Sequence, residues 1–550
     1  MGNKITIDRR NFLKGATLVG GTALLAGVAG CTSPASGDAQ ATEAWMPTWD
    51  ETTDVVVVGF GGAGAAASLA ANVAGVRVIV LEKAPAAEGG STGCASGSIH
   101  SAPKADPNDW KQKLNYGAYG TTDSDAISKM VDHAADMPDW FDSVGIPIDW
   151  APMNKASNTE PAYSGGHISG YDGNEGRFLW QGTLKAADAH GIDYRVSCRV
   201  TQLIQNPVTK EILGVKASTP DGDKFIKAQK GVVLSCGGYG NNPLKQSQFN
   251  QPGVRMFPWG NIYNEGDGID LAIGVGAALW HMHGLEWSAV GYRLASEKAG
   301  ATVSSDATNG ITPFQHVFVN KAGKRFMNEA KGMGHDIETK PVIDYSAANN
   351  EYKNLPFFMV FDQAMFDAGP LWIGSGRIGI VNTYAGVHKL IDWGADNTQA
   401  LSNGWIFKGD TLEELASNIK GTTPAGVSVN GIDAAGLAKT VADFNTYAES
   451  GSDPEFGRSP DHMAPFGAPP YYAIEMCLSC INTQGGAQRN GDCQVIAPDG
   501  TPIPRLFSAG EFGSINGYVY VYGNIFEAFT SGRVAGNGAA ALDNWDPNGD

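Results

Sequence analysis

The segment from Asp54 to Glu82 constrains the fold more than any other part of the chain. Asp54 is followed by four valines, a continuous β-branched run that predicts a strand buried on both faces of a parallel sheet. The next residues, Gly59-Phe-Gly-Gly-Ala-Gly64, form a G-x-G-x-x-G motif, and a helix is predicted over 65–74. In such a motif the glycines make the turn, let backbone approach a pyrophosphate, and let helix pack on strand. The segment therefore predicts a dinucleotide site in a Rossmann-like α/β domain.

A second strand is predicted over 76–81, and it ends in Glu82, whose carboxylate can accept hydrogen bonds from ribose hydroxyls. The N-terminus of the intervening helix offers free N–H groups and a partial positive charge to a diphosphate. This motif alone does not distinguish NAD from FAD. Four later glycine-rich segments bear on that choice, and they lie at 89–97, 232–240, 264–272 and 506–536.

Composition excludes several other classes of protein. The 550 residues include 42% apolar and 17% charged residues, so the bulk of the chain is neither disordered nor built of solvated charge. A formal net charge of -18 argues against nucleic acid as a partner, because neutralising phosphates needs clustered Lys and Arg. The length suggests two to four domains or one large composite.

The N-terminus has the pattern of an export signal. Arg9 and Arg10 are followed by Asn-Phe-Leu-Lys and then by sixteen uncharged residues, which is typical of a twin-arginine signal peptide over 1–30. The apolar stretch is too short and glycine-rich for a comfortable membrane span. Val28-Ala-Gly-Cys31 resembles a lipobox, so Cys31 is predicted to carry a lipid, which is the one membrane attachment the sequence suggests. Residues 31–50 are then a tether.

The remaining cysteines and histidines give no strong metal signal. Cys477-Leu-Ser-Cys480 lacks the following histidine of a haem site and a second pair for zinc, so packed thiols are the favoured interpretation. His281-Met-His283 could bind a metal from a strand, but no third ligand is near in sequence. We expect no metal site.

Taken together, the motifs resemble the fumarate reductase and succinate dehydrogenase flavoproteins, particularly flavocytochrome-type fumarate reductases and urocanate reductases, in a superfamily that includes ketosteroid dehydrogenases. The resemblance covers about Thr53 to Gly536 and includes Leu81-Glu-Lys83, Val319 to Glu329, Phe361-Asp362 and Ala509-Gly-Glu511. It implies an α/β fold with a Rossmann-like FAD-binding domain in two segments, 51–290 and 471–545, and an inserted α+β capping domain, 291–470. FAD contacts are implied at Gly59, Gly61, Ala63, Gly64, Glu82, Ser91, Thr92, Ser96, Gly97, Asp267, Asn482, Glu511, Ile525 and Phe526.

The chain departs from the carboxylate-reducing members of that family at three positions. The proton-donor arginine four residues after the Phe-Asp pair is replaced by Phe366, the substrate-binding histidine by Ile481, and the clamp arginine by Tyr520. A guanidinium that grips a carboxylate is not interchangeable with these side chains. The resemblance also implies noncovalent FAD, since the histidine that links to FAD in membrane-bound members has no counterpart beside Ser91.

These departures favour a substrate other than fumarate. A tyrosine can polarise a neutral carbonyl or donate a proton, so Tyr520, and then Tyr518, are the candidate catalytic residues, although both also fit a plain strand. Glu329 matches a proton-delivery residue of the family, and a surface carboxylate is the alternative. We expect an exported ene-reductase acting on an enone, unsaturated lactone or aromatic enoate, supplied by a separate cytochrome or quinol-linked donor, in the periplasm or on the outer face of the membrane. The alternatives are a ketosteroid-type dehydrogenase and an inactive flavin-bearing or ligand-binding lipoprotein.

Overall fold

A computed structural model gives the structure of the chain. It describes residues 46–546 except 96, 102–106, 154–162, 171–175, 251–253, 255, 259–260, 287–288, 293–314, 330–339, 372–392, 481 and 518–522. The predicted signal peptide, most of the tether, Ser96, Ile481, Tyr518 and Tyr520 therefore lie outside the described residues. Residues Trp49 to Asp550 form one compact unit.

The described residues form many short strands. In chain order they are β1 Glu51–Val58, β2 Val78–Leu81, β3 Ile99–Ser101, β4 Ile148–Met153, β5 Tyr163–Ile168, β6 Asp193–Arg195, β7 Arg199–Gln205, β8 Ile212–Thr219, β9 Gly222–Leu234, β10 Phe257–Pro258, β11 Leu279–Trp280, β12 Leu285–Glu286, β13 Ala289–Tyr292, β14 His316–Val319, β15 Tyr345–Ser346, β16 Glu351–Tyr352, β17 Phe357–Asp362, β18 Ile406–Gly409, β19 Lys420–Thr422, β20 Ser428–Asn430, β21 Tyr471–Cys480, β22 Asn482–Thr483, β23 Gly486–Ala487, β24 Gln494–Ile496 and β25 Pro502–Ser508.

The helices lie between and around these strands. In chain order they are α1 Gly62–Val73, α2 Gly90–Cys94, α3 Asn108–Ala118, α4 Ser124–Ala134, α5 Met137–Ser143, α6 Gly176–Ala189, α7 Pro243–Phe249, α8 Asp267–Gly274, α9 Gln363–Asp367, α10 Thr398–Ser402, α11 Leu412–Asn418, α12 Ala434–Ser450 and α13 Asn524–Ala541.

The main sheet has the strand order β24-β25-β9-β1-β2-β6, with β8 and β7 continuing from β9. Neighbours from β25 to β6 are parallel. The four valines of β1 are at most 6% exposed, as the sequence predicts for a strand covered on both faces. The α/β fold with a parallel FAD-type sheet is confirmed.

The C-terminal segment completes this sheet domain. Strand β25 pairs with β9 beside β1, and helix α13 packs along α1. A Cβ atom at Gly532 would lie 2.3 Å from the carbonyl oxygen of Ala63, and one at Gly536 would lie 2.2 Å from that of Ala67. Glycine is thus required where the two helices touch, and the fold joins two distant sequence segments.

A second sheet has the order β10-β21-β17-β14, and β13 and β18 also pair with β21. Its central strand β21 and the short β10 belong by sequence number to the segments predicted for the FAD domain, while β14, β17 and β18 belong to the predicted cap. The boundaries at 290 and 470 therefore remain predictions. Cys477 and Cys480 are buried thiols within β21, which agrees with the packed-thiol interpretation.

Candidate functional site

The turn between β1 and α1 has the geometry that the glycine motif predicts. Gly59 has a φ of +97°, and a Cβ atom there would lie 2.4 Å from the carbonyl oxygen of Ser235. At Gly64 a Cβ atom would lie 2.0 Å from the carbonyl oxygen of Gly59, so only glycine lets the helix sit this close to the strand. At Gly61 the nearest atom is the Gly89 carbonyl oxygen, 3.3 Å away.

The N-terminus of α1 is open to an anion. Its N-cap, Gly61, has no side chain to cap the helix, and the first turn carries no acidic residue. The N–H of Gly62 donates to Thr92 Oγ1 over 3.2 Å. The remaining dipole and N–H groups suit a diphosphate, as the sequence predicts.

Glu82 stands at the carboxyl end of β2, beside the glycine turn. Its Oε2 accepts the N–H of Phe60 over 2.7 Å, and its Oε1 accepts the N–H of Ala84 over 2.7 Å. Burial raises the pKa of Glu82, while these backbone donors oppose that effect. The carboxylate is therefore held in a fixed orientation that leaves acceptor capacity for a hydroxyl.

Glu511 joins three parts of the chain that are far apart in sequence. Its Oε1 accepts from Ser91 Oγ over 3.0 Å, from the N–H of Gly238 over 2.8 Å and from Asn264 Nδ2 over 3.0 Å. Asn264 Nδ2 also donates to Ser91 Oγ over 2.8 Å. The carboxylate thus fixes α2, the loop after β9 and the loop before α8 around one space.

That space is a cavity of about 420 Å³. Most of the described residues predicted to contact FAD line it: Gly59, Gly61, Ala63, Glu82, Ser91, Thr92, Asp267, Asn482, Glu511 and Ile525. The cavity lining does not include Gly64, Gly97 or Phe526. Gly64 packs against the strand, and Phe526 is 1% exposed with its ring 5.0 Å from that of Trp110, edge to face. Contact with the cofactor remains a prediction for each residue.

The carboxylate of Asp267 forms ion pairs with two basic side chains. Its Oδ2 lies 3.0 Å from Lys83 Nζ, and its Oδ1 lies 2.7 Å from Arg199 Nη2. Lys83 also pairs with Glu265 at 2.9 Å. Asp267 is the first residue of α8, as predicted. Its carboxylate holds this ion cluster together at the cavity wall.

Several lining residues were missed by the sequence analysis. Asn524 Nδ2 donates to Gln484 Oε1 over 2.9 Å, and Gln484 Nε2 donates to Asn482 Oδ1 over 3.1 Å. These two bonds link the first residue of α13 to β22 beside the cavity. The lining also includes Cys94, Cys198, Cys236, His100 and Lys113. Burial raises the pKa of the Cys236 thiol. Asn524, Cys94 and Cys236 stood in three of the glycine-rich segments, so they carried a sequence signal. Cys198, His100 and Lys113 stood in none of them.

Glu329 lies in a buried cluster of charges instead of on the surface. Arg325 donates to it through Nε and Nη2, each over 2.8 Å, and Arg458 Nη1 lies 3.4 Å away. Arg325 Nη2 also donates to Asp453 over 2.9 Å. Glu329 is fully buried, so the surface alternative is wrong. Glu329 does not line the cavity.

His316 borders this cluster, and its side chain is fully buried. Within the described part of the chain, neither of its ring nitrogens makes a hydrogen bond. Arg458 donates to its carbonyl oxygen over 2.7 Å. Burial, and then Arg458 and Arg325, lower the pKa of His316 well below its usual value, so the ring is neutral.

A second buried network fixes the chain just before the candidate tyrosines. Arg489 donates to Glu527, and Glu527 accepts from Ser514 Oγ over 2.6 Å and from the N–H of Ile515 over 2.8 Å. His281 Nδ1 lies 2.7 Å from the carbonyl oxygen of Ser514. The His281 ring is thus engaged by backbone, and no group of His, Cys, Asp and Glu in the described part of the chain could hold a metal ion.

The geometry defines a class of protein, a flavoprotein with a Rossmann-like FAD site. The family described as FAD binding domain matches residues 54–524, and the chain belongs to that family. It is an FAD-dependent oxidoreductase, and its relatives act on C=C and CH–CH groups.

Three relatives show the range of that family. The chain is 31% identical over 517 residues to the urocanate reductase of Eggerthella lenta, covering 89% of this chain and 75% of that one. It is 29% identical over 535 residues to the probable fumarate reductase Ifc3 of Shewanella frigidimarina, covering 92% and 80%. It is 27% identical over 603 residues to the digoxin reductase of Eggerthella lenta, covering 98% of each.

Solved structures agree on the fold. An open conformation of a flavocytochrome c3 fumarate reductase aligns with a TM-score of 0.65 at 26% identity, covering 98% of this chain and 82% of that one. A 3-ketosteroid Δ1-dehydrogenase from Sterolibacterium denitrificans aligns with a TM-score of 0.70 at 20% identity, which shows a shared fold alone. The predicted family, cofactor and enzyme class are confirmed.

Proposed function

We propose that the chain is an exported, FAD-dependent ene-reductase that saturates an activated C=C bond in an enone, unsaturated lactone or aromatic enoate. The observation that carries this proposal is the cavity that brings together the glycine turn, Glu82 and Glu511. Bound FAD would supply a hydride to the β-carbon of the substrate. The protein must then polarise the activating group, exclude water and place one proton donor.

The residue at the position of the family's proton-donor arginine supports an uncharged substrate. Phe366 occupies it and stacks on Tyr472, with ring centroids 4.3 Å apart and planes 15° apart. The ring of Phe361 also stacks on that of Tyr472, with ring centroids 5.6 Å apart. All three rings are at most 9% exposed. This aromatic layer has no guanidinium with which to bind a carboxylate, so fumarate is a poor candidate.

Neutral amide groups also lie at the cavity. Asn482 and Asn524 line it, and Gln484 joins them through a chain of amide hydrogen bonds. Amides can hydrogen-bond a neutral oxygen without the charge that a carboxylate requires. In this proposal Tyr520 polarises the carbonyl or protonates the α-carbon, Tyr518 is second in rank, and Glu329 serves the proton route.

The binding of FAD is proposed to be noncovalent. Helix α2, which supplies Ser91 and Thr92 to the cavity, has the sequence Gly-Ser-Thr-Gly-Cys and contains no histidine. Acid precipitation of the purified protein should release all of the flavin into the supernatant. Flavin retained on the protein pellet would contradict this part of the proposal.

The electron donor is proposed to be a separate cytochrome or quinol-linked protein outside the cytoplasm. Support comes from the twin-arginine pattern at Arg9-Arg10 and the lipobox-like Val28 to Cys31. No helix in the described part of the chain is long and apolar enough to cross a membrane.

Turnover with a reduced viologen dye tests the proposal. The holoenzyme should oxidise the dye when given enones, unsaturated lactones or aromatic enoates, and fumarate should be much slower. Dye reduction by saturated ketosteroids would instead indicate the dehydrogenase. Silence with every substrate, in protein that retains FAD, would indicate an inactive flavin-bearing protein.

A further inference from the structure

Two tyrosines at the end of α3 are unusually exposed. Tyr116 is 72% exposed and Tyr119 is 67% exposed, and their ring centroids are 6.3 Å apart in an edge-to-face arrangement. Tyrosine is amphipathic and is enriched in protein interfaces, so adjacent exposed rings mark a candidate contact surface. Asp109, Asp123 and Asp125 are exposed on the same helix and in the residues that follow it. We name these five residues the α3 patch.

The sequence that contains the α3 patch is strongly acidic. Residues 107–149 contain eight aspartates and three lysines, a formal net charge of -5, whereas the whole chain of 550 residues carries -18. Two of these lysines are paired with carboxylates, Lys111 with Asp132 at 2.7 Å and Lys129 with Asp492 at 3.0 Å. The third, Lys113, lines the cavity. The patch thus presents aromatic rings within a field that attracts cations.

The same helix also reaches the cavity. Lys113 lines it, and Tyr116 lies three residues later, about 4.5 Å further along the helix axis. Trp110 on the buried face of α3 contacts the ring of Phe526, the neighbour of the lining residue Ile525. The α3 patch therefore begins about one helical turn from a residue that lines the cavity.

Resting on the proposed function, we propose that the α3 patch is the docking surface for the electron donor, and that this donor is a small redox protein with a basic face around the exposed edge of its haem. Reducing one C=C bond takes two electrons and two protons, so a one-electron donor must dock twice in each turnover. Such a complex must form and dissociate quickly. Electrostatic steering and a small interface centred on a few aromatic rings meet that need.

The test measures complex formation by the holoenzyme. The probe is a lysine-rich monohaem cytochrome c, titrated by calorimetry at low and at high ionic strength. The test variant is Tyr116→Lys/Tyr119→Lys, which places two positive charges in the patch. The matched control is Tyr345→Lys, because Tyr345 is 48% exposed on β15 and does not line the cavity. We expect the Kd to rise at least about tenfold in the double variant at low ionic strength, to stay unchanged in the control, and to rise with salt in the wild type.

Viologen-driven turnover separates this proposal from the proposed function. A small dye does not need the patch, so the double variant should retain wild-type turnover with the dye. An unchanged Kd in the double variant, or equally tight binding of an acidic ferredoxin to the wild type, would overturn the docking proposal. Absence of dye-driven turnover in every protein would instead overturn the proposed function and leave the binding result standing.

Discussion

Arg325 and Glu329 are joined by two hydrogen bonds of 2.8 Å, and at most 2% of either side chain is exposed. The same guanidinium also pairs with Asp453 at 2.9 Å. Two carboxylates therefore share one buried guanidinium, and Glu329 also lies 3.4 Å from Arg458. Of the two carboxylates, only Glu329 is a predicted proton-route residue. This arrangement allows a structural effect to be separated from a catalytic one.

Replacing Glu329 by Gln should lower kcat at least about a hundredfold, because a positioned acid or base contributes about 10² to 10⁴ to a rate. Asp453→Asn is the matched control, since it removes one charge from the same cluster. Both variants should lose thermal stability, because each leaves the arginines incompletely paired. Comparable kcat values for the two variants, in protein with full FAD content, would remove Glu329 from the proton route.

The close approach of α1 to β1 predicts that Gly64→Ala abolishes FAD binding. A Cβ atom at this position would lie 2.0 Å from the Gly59 carbonyl oxygen, so the turn would have to open. Gly274→Ala at the end of α8 is the control, because its Cβ would meet nothing within 4 Å. Flavin absorbance per mole of purified protein measures the effect. Full flavin content in Gly64→Ala would show that the turn is not where the cofactor binds.

The buried ring of His316 predicts a loss of stability in acid. Its pKa in the folded protein is lowered well below 6.5, so below pH 6.5 the unfolded chain binds a proton that the folded chain does not. The contribution of His316 to the free energy of unfolding should therefore fall by up to about 1.4 kcal/mol per pH unit as the pH decreases from 6.5. The denaturation midpoint should shift less between pH 7 and pH 5 in His316→Leu than in the wild type. An identical shift in both proteins would contradict the buried neutral state.

The tyrosines that follow Gly517 supply a prediction about substrate activation. Tyr520→Phe should lower kcat sharply with an enone and leave flavin content intact, because the phenol hydroxyl is the proposed polarising or proton-donating group. Tyr518→Phe should have a smaller effect. Steady-state rates with a viologen donor measure both. An unchanged rate in Tyr520→Phe would remove this residue from the mechanism.

Local sequence was sufficient to predict the parts of the site that depend on neighbouring residues. The turn at Gly59, the strand of valines and the acidic end of β2 arise within 30 residues, so their pattern identifies them. The partners of Glu511 could not be found in this way. Asn264 lies 247 residues away and Ser91 lies 420 residues away, and only the folded sheet brings them together.

Helix geometry explains why two neighbouring residues lie differently with respect to the cavity. Ile525 and Phe526 were both implied as FAD contacts, but successive residues on an α-helix point about 100° apart. Ile525 lines the cavity, whereas Phe526 turns into the core against Trp110. Similarly, Arg325 was visible four residues before Glu329, but Arg458 reaches the cluster only through tertiary packing.

The central claim is tested most directly by reducing the purified holoenzyme in the absence of oxygen and then adding one equivalent of an enone. We predict a yellow protein that is bleached by reduction, and whose flavin absorbance returns in step with the appearance of the saturated product. A protein that binds no flavin, or a reduced flavin that stays bleached with every enone, lactone and enoate, would contradict the account.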